Sequence, residues 1–563
     1  MLGSFILGGQ LPMFDGMRRM HFLRTAAGGL LTLALAPGEA LARAGRSQPT
    51  RALSARNLGR RYASDRSLFA TVAPGVPGRD TAAVRFGLTQ PATVRLEAVR
   101  TALRNQTVHW ETSVALRAGA HELTWTPDTS TPVGSYVMRL TIDGAGSRHA
   151  VLGGRRPASV ARQQAAVVRV LGVEAAFDRR SYTAGEAMAL TVFADAPTLT
   201  LQFLRSGAEA ESTDRMDEIK GTPMGDPVPL DWSGKRSAPV AITVQTGDWP
   251  TGVYAAQLTA DDGRVGFAPF VLRPRTLGAV RQALILPTNT WQAYNFYDRD
   301  GDGWGDTWYA GGSPPVDLAR PYRDRGVPPR FKRYDLPYLK WLQWTGKSPD
   351  MLADDDLEAF PSGDDLRRLY DVVVFPGHSE YMTEHAYDVV ERFRDLGGRL
   401  IFLSANNFFW KVEKNGNTMR RVGLWRNLGR PEARLCGVQY RANDDGKRQG
   451  PFYVIDAAAA PWLFAGTGLA SGAKLGEMVG GYGIEIDATT PDSPPGTKVL
   501  ALIPSLFGPG LHAEMAYYET AAGARVFSAG VLDFGGSATF WPVRRMLDNL
   551  WQHMLEGVPA APA

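Results

Sequence analysis

Between residues 370 and 410 two short apolar runs end in polar loops and enclose a helix-like segment. The first run, Val372–Phe375, is stopped by Pro376-Gly377 and delivers His378, Glu380 and Tyr381. The second, over residues 400–403, follows Gly397-Gly398 and delivers Ser404, Asn406 and Asn407. Strand, loop, helix and strand in this order form a parallel sheet, and ligand sites of such sheets lie outside the carboxyl ends of the strands. Polar residues gathered at two such ends mark a candidate site.

A chain of 563 residues is too long for one core and splits into domains. Residues 67–142 and 167–272 alternate apolar and polar side chains at period two, with turn residues between short runs. The two regions share a repeat. Pro132, Gly134 and Tyr136 followed by Leu140-Thr141 match Pro250, Gly252 and Tyr254 followed by Leu258-Thr259, spacing for spacing. A turn that sets a tyrosine at the start of a late strand is typical of immunoglobulin-like sandwiches. The expected fold is therefore multidomain β plus α/β. A β-sandwich covers residues 46–155, a second covers 160–275, and an α/β layered domain covers 279–557, with a linker near Gly153 to Pro157. In the α/β region residues 283–286, 499–503 and 525–530 read as strands and 338–345, 383–396 and 542–555 as helices. Ala386, Val389, Val390 and Phe393 recur at helical spacing, with Thr383 as N-cap and Gly397 as stop.

The start of the chain reads as an export signal over residues 1–45. Arg18, Arg19 and Arg24 precede an apolar stretch at 26–36, and Ala40-Leu41-Ala42 offers a cleavage site. Arg18-Arg19 ahead of Phe22-Leu23-Arg24 resembles a twin-arginine signal with one extra residue, and Met17 is a second possible start. The stretch is shorter than the roughly 20 apolar residues a membrane span needs. The expected location is periplasmic or extracellular, with no membrane span. The net charge of +5 is spread along the chain without a basic face, which argues against nucleic acid as a partner. Cys436, the sole cysteine, lies between apolar neighbours and reads as buried filler.

Four constellations can carry chemistry. A strand entered through Gly-Gly resembles the glutamine amidotransferase-like fold, where a cysteine on the following turn is the nucleophile. Here that turn is Ser404-Ala405-Asn406, so the cysteine mechanism is absent. His378, Glu380 and Tyr381, with Asn406 nearby, can bind a metal or move protons, or else cap the next helix. In Gly480-Gly481-Tyr482-Gly483-Ile484-Glu485-Ile486-Asp487, the acids Glu485 and Asp487 share one strand face. They can reach a ligand or simply be solvated. Asp298, Asp300, Asp302 and Asp306, with Gly303 at the sixth place, match the first half of a calcium loop. The twelfth place holds Tyr309 instead of glutamate.

Several of these segments carry a resemblance. TNTWQAYN (288–295), GHSEYMT (377–383), GGRLIFLSANNFFW (397–410), YGIEID (482–487) and YYETAAGARVFSAG (517–530) resemble the C-terminal region of the N,N-dimethylformamidase large subunit family. The resemblance covers roughly the last half of the chain. It implies a glutamine amidotransferase-like fold without the cysteine, and one iron held by two tyrosines and one glutamate. It also implies hydrolysis of an amide to an amine and a carboxylic acid. On this chain it points to Glu485 and Tyr381 as iron ligands. His378 or Glu380 would orient water or shuttle a proton, and Asn406 would steady the oxyanion. Where a second tyrosine is expected the chain has Phe408-Phe409, and Tyr440 serves only if the fold brings it close. The implied partners are a small amide substrate and a small second subunit or a homo-oligomer. The rival reading is a non-catalytic exported binding protein with a calcium-stapled α/β domain.

Overall fold

Apolar and polar residues alternate so regularly in the first half that the chain has little choice but to build sheets with one dry face. The structure, a computed structural model, describes residues 50–101, 106–144, 148–152, 166–209, 211–310 and 314–558. The expected signal peptide and the linker near Gly153 lie outside these residues. No described helix is long and apolar enough to cross a membrane.

In the first region, Thr50–Asn57, Ala82–Leu88 and Gly119–Trp125 form an antiparallel three-stranded sheet. A six-stranded sheet, centred on Ala92–Arg100 and Gly134–Gly144, shares its core. Val84 and Phe86 of one sheet meet Val94, Leu96, Met138 and Leu140 of the other. Val167–Val170 pairs with Gly134–Gly144 and Phe69–Val72, so it belongs to this first region and not to the second, where the sequence pattern had put it. The second region repeats the plan with a three-stranded and a five-stranded sheet around Leu190, Leu201, Phe203 and Tyr254. The repeated sequence motif is one device used twice. Tyr136 donates its hydroxyl to the Pro132 carbonyl at 2.6 Å, and Tyr254 donates to the Pro250 carbonyl at 2.7 Å.

The third region holds a nine-stranded sheet. Its parallel half runs in the order Asp350–Ala353, Gln282–Leu286, Val372–Phe375, Arg399–Phe402 and Arg525–Ser528. Four further strands, from Ala513–Glu519 out to Lys474–Leu475, extend it in antiparallel fashion. A parallel strand covered on both faces must be apolar throughout, as Val372–Phe375 is. Val373 and Phe375 pack under the helix Glu384–Asp395, while Val372 and Val374 face the side of Leu336–Trp344 and Val543–Leu555. Thr383 caps Glu384–Asp395 by accepting from the Ala386 amide at 3.2 Å, and Gly397, at φ 82°, ends it in a conformation other residues resist. Burying Val389, Val390 and Phe393 from that helix contributes about 1.5–3 kcal/mol each. Cys436 is buried on the same side of the sheet.

Candidate functional site

Three adjacent parallel strands deliver polar groups to one end of this sheet. Gln282–Leu286 leads into the short helix Thr288–Ala293 and then Tyr294. Val372–Phe375 leads to His378, Ser379 and Glu380, and Arg399–Phe402 to Asn406. Gly377 is required before His378, because a Cβ there would lie 2.1 Å from an Asp335 carboxylate oxygen. A fourth segment, Glu485–Ala488, pairs with Gln439–Asn443 and brings in Glu485, Asp487 and Tyr440.

The side chains converge. His378 Nε2 lies 3.2 Å from Glu485 Oε2 and 3.4 Å from Glu380 Oε2. The Tyr294 hydroxyl donates to Glu380, and the Tyr381 hydroxyl donates to that of Tyr294 at 3.3 Å. The Tyr309 ring stacks face to face on Tyr294 with centroids 3.7 Å apart. Tyr381 packs edge-on against Trp308. Asp487 accepts the Asn406 backbone amide on both carboxylate oxygens, at 2.9 and 3.0 Å, and so holds the turn from beneath. His378 Nε2, Glu485 Oε2 and Asn406 Oδ1 are buried without a directional hydrogen bond, although the first two are neighbours. Such orphaned atoms carry a desolvation cost unless something else satisfies them.

These groups open on a cavity of about 1580 Å³ lined by Tyr294, Tyr309, Glu380, Tyr381, Tyr440 and Glu485. Its wall also includes parts of both sheet regions, such as Val133 and Arg264. Seven described residues other than glycine have positive φ, and five line this cavity: Arg325, Arg330, Asn406, Asp445 and Ile484. A β-branched residue such as Ile484 at φ 65° is a genuine outlier, and strain of about 1–3 kcal/mol per residue gathers where function fixes the backbone.

The electrostatics disfavour ionised acids in this site. Burial pushes Glu380 up to about 7, with Glu485 adding to the rise and His378 opposing it. Burial and then Glu380 push the phenols of Tyr294 and Tyr381 far above their ordinary range. Tyr440 rises by burial and then Glu485, while Tyr309 is 36% exposed. Burial draws His378 down, but Glu485 and Glu380 outweigh it and hold the imidazole at about 8. Two acids beneath the site, Asp335 and Asp487, are each raised to about 8 by burial. Carboxylates and phenols crowded out of water resist ionising; a cation among them reverses that preference.

The acidic loop is built differently. Asp298 accepts the amides of Gly301, Asp302 and Gly303 at 2.8, 3.2 and 3.0 Å. One oxygen each from Asp298, Asp300 and Asp306 lie within 4.8 Å of one another, a spacing that could hold a metal ion. Asp302 is not in that group; its carboxylate accepts the Trp304 amide at 2.7 Å. Thr101 donates to the Gly303 carbonyl at 2.7 Å, so the loop is tied to the first sheet region.

Of the residues singled out from sequence, His378, Glu380, Tyr381, Asn406 and Glu485 lie in this one neighbourhood, and Tyr440 lines the same cavity. Phe408 is buried in the core and Phe409 packs against Tyr440 at 4.9 Å. Ser404 is no free nucleophile, since its hydroxyl donates to the Leu532 carbonyl at 2.9 Å. Sequence reasoning did not single out Tyr294, and it considered Tyr309 only as the end of a calcium loop. Tyr294 could have been found, since it follows the first parallel strand as His378 follows the next.

With this geometry in place, the comparisons fall into line. The profile of the N,N-dimethylformamidase beta subunit-like C-terminal family matches residues 226–545. The chain belongs to this family. Two curated relatives are similar, both N,N-dimethylformamidase beta subunits. That of Paracoccus aminophilus is 26% identical over 324 residues, 47% of this chain and 42% of the relative. That of Alcaligenes sp is 24% identical over 325 residues, 47% and 42% respectively. The chain thus matches less than half the length of either relative. Among solved structures, the Yersinia pseudotuberculosis adhesin InvE matches with 16% identity over 36% of this chain and 56% of that one, at a TM-score of 0.13, too low to carry an argument. The family match runs from 226 to 545, so it takes in the loops that carry the site and leaves the first sheet region and the start of the second outside.

Proposed function

We propose that this protein is a metal-dependent amide hydrolase that cleaves a C–N bond, with the cluster around Glu380 as its active site. The observation that carries the reading is the convergence of buried phenols and a carboxylate that resist ionising, with the Tyr294 hydroxyl in contact with both Glu380 and Tyr381. Hard oxygen donors of this kind suit iron(III). In this reading Tyr294 and Glu380, which are in contact, and Tyr309, whose ring stacks on Tyr294, would be the ligands. Tyr381 and Glu485 border that set. Tyr381 orients the Tyr294 hydroxyl, and Glu485 sits on the imidazole.

When bound, the ion supplies a Lewis acid that polarises the amide carbonyl and acidifies water. The residues do the rest. Hydrolysis forms a C–O bond from water, breaks the C–N bond and sends a proton to the leaving amine. His378, kept protonated near neutrality by Glu485 and Glu380, is placed to give that proton. Glu485 is placed to take one from water. Asn406, with a side-chain oxygen free to accept, can orient the attacking water. Asp487 fixes the Asn406 backbone.

The relatives' name makes dimethylformamide the first substrate to try, and their being subunits makes a second chain a partner to look for. The α/β region as a cysteine-less glutamine amidotransferase-like domain, the two sheet regions as immunoglobulin-like sandwiches, and export to the periplasm complete the proposal. Calcium on Asp298, Asp300 and Asp306 would be structural, stapling the loop that leads to Trp308 and Tyr309. The test is hydrolysis of a small amide by iron-loaded protein, compared with Glu380→Gln and Tyr294→Phe. Release of amine by the wild type and by neither variant supports the reading. Full activity in both variants, or none in iron-loaded wild type on any amide, would leave the exported binding protein as the better account.

A further inference from the structure

The cavity is far larger than a small neutral amide needs, since sites for whole drug-sized ligands span about 300–1,000 Å³. Its wall carries eight arginines. Six are paired with a carboxylate, Arg333 with Asp533 at 3.3 Å and Arg100 with Asp324 at 3.0 Å among them. Arg421 lies over the Trp410 ring at 4.2 Å. Arg330 differs. It is exposed and makes no ion pair among the described residues.

Its backbone is also unusual. Arg330 has φ 63° and ψ 3°, a left-handed conformation where asparagine or glycine would be at ease, and it sits just before the helical turn Phe331–Tyr334. Its carbonyl accepts the amides of Arg333 and Tyr334 at 2.8 and 2.9 Å. This turn fixes where the guanidinium leaves the chain. Arg330 lines the same cavity as Tyr309 and Tyr334, so it stands on the flank of the proposed catalytic cluster. A planar fork of donors without an ion pair, on the wall of this cavity, matches a carboxylate in shape and charge.

We infer that Arg330 binds an anionic group of the substrate, so that the preferred substrate is an amide that carries a carboxylate. This deepens the hydrolase reading and rests on it for the word substrate. The chemistry is unchanged: water adds to the carbonyl, the C–N bond breaks, and the carboxylate serves only as a handle.

The test uses the full chain and a matched pair of probes, N-acetylglycine and N-acetylglycinamide, which differ in carboxylate against carboxamide. Calorimetry on metal-free protein reads binding without turnover. N-acetylglycine should bind roughly tenfold tighter, the size of one charge-assisted hydrogen bond. Arg330→Gln should erase that preference, and Arg330→Lys should keep part of it. Arg330→Gly relaxes the left-handed backbone, so it should melt no lower than wild type and still lose the preference. Equal binding of the two probes to wild type, binding of neither, or a preference that survives in Arg330→Gln and Arg330→Gly would each overturn the inference. Turnover separates it from the reading beneath. If iron-loaded wild type hydrolyses both probes with equal kcat/KM and Arg330→Gln changes neither, the anion handle falls and the hydrolase stands. If N-acetylglycine binds through Arg330 but no amide is ever cleaved, the handle stands and the hydrolase falls.

Discussion

The acidic loop at 298–306 and the cluster around Glu380 are both crowded with carboxylates, yet they are finished differently. In the loop, Asp298 is saturated by three backbone amides and Asp302 by a fourth, so the acids hold the chain in its turn. In the cluster, the carboxylates face side chains instead: Glu380 accepts from Tyr294, and Glu380 and Glu485 both flank His378. In the loop the backbone satisfies the acids, whereas in the cluster they meet mainly other ionisable side chains. Number of acids separates the two poorly; the state of their lone pairs separates them well.

That contrast predicts opposite phenotypes. Glu380→Gln should lower amide hydrolysis by more than about a hundredfold while leaving the thermal midpoint nearly unchanged, read by amine release and a melt in parallel. Asp298→Ala should do the reverse. Freeing three buried amides costs on the order of 2–4 kcal/mol, visible as a lower urea midpoint, with turnover of the folded fraction kept within severalfold. If Asp298→Ala abolished turnover without loss of stability, the loop would be a second site and the contrast would collapse.

Within the cluster, Glu485 holds the His378 proton. In metal-free protein the imidazole titrates at about 8, above its ordinary 6.5, so the folded state binds the proton more tightly. The stability this gives is complete below about pH 6.5 and lost as pH rises through about 8. Glu485→Gln should move the His378 resonance, followed by NMR, to a lower titration point. It should also be more destabilising relative to wild type at pH 6 than at pH 9. An unchanged titration would mean that Glu485 is not the controlling neighbour. The smallest effects belong to the sheet regions. Tyr136→Phe and Tyr254→Phe each remove one hydroxyl-to-carbonyl bond and should cost about 1 kcal/mol in a chemical melt, with no effect on turnover.

Much of this was legible in the sequence because it follows from period and punctuation. Val372–Phe375 is apolar throughout because both of its faces are covered, and Thr383 and Gly397 bracket the next helix as their chemistry demands. The paired tyrosine turns announced a repeated β unit before any coordinates. What could not be read was convergence in space. Tyr294 and Glu380 touch across 86 positions of chain, and Glu485 reaches His378 from a hairpin-like pair that no local pattern ties to the sheet end. Val167–Val170 shows the same limit. Its alternation identifies a strand, but its partners in the first region are set by register and core shape.

The central claim is that Tyr294, Tyr309 and Glu380 together hold iron. Metal analysis of the purified full chain, on wild type, Tyr294→Phe and Glu380→Gln, tests it directly. The account predicts close to one iron per chain in the wild type, a visible phenolate-to-iron absorption band, and loss of both in each variant. A wild type free of iron, or variants that keep a full complement, would contradict it.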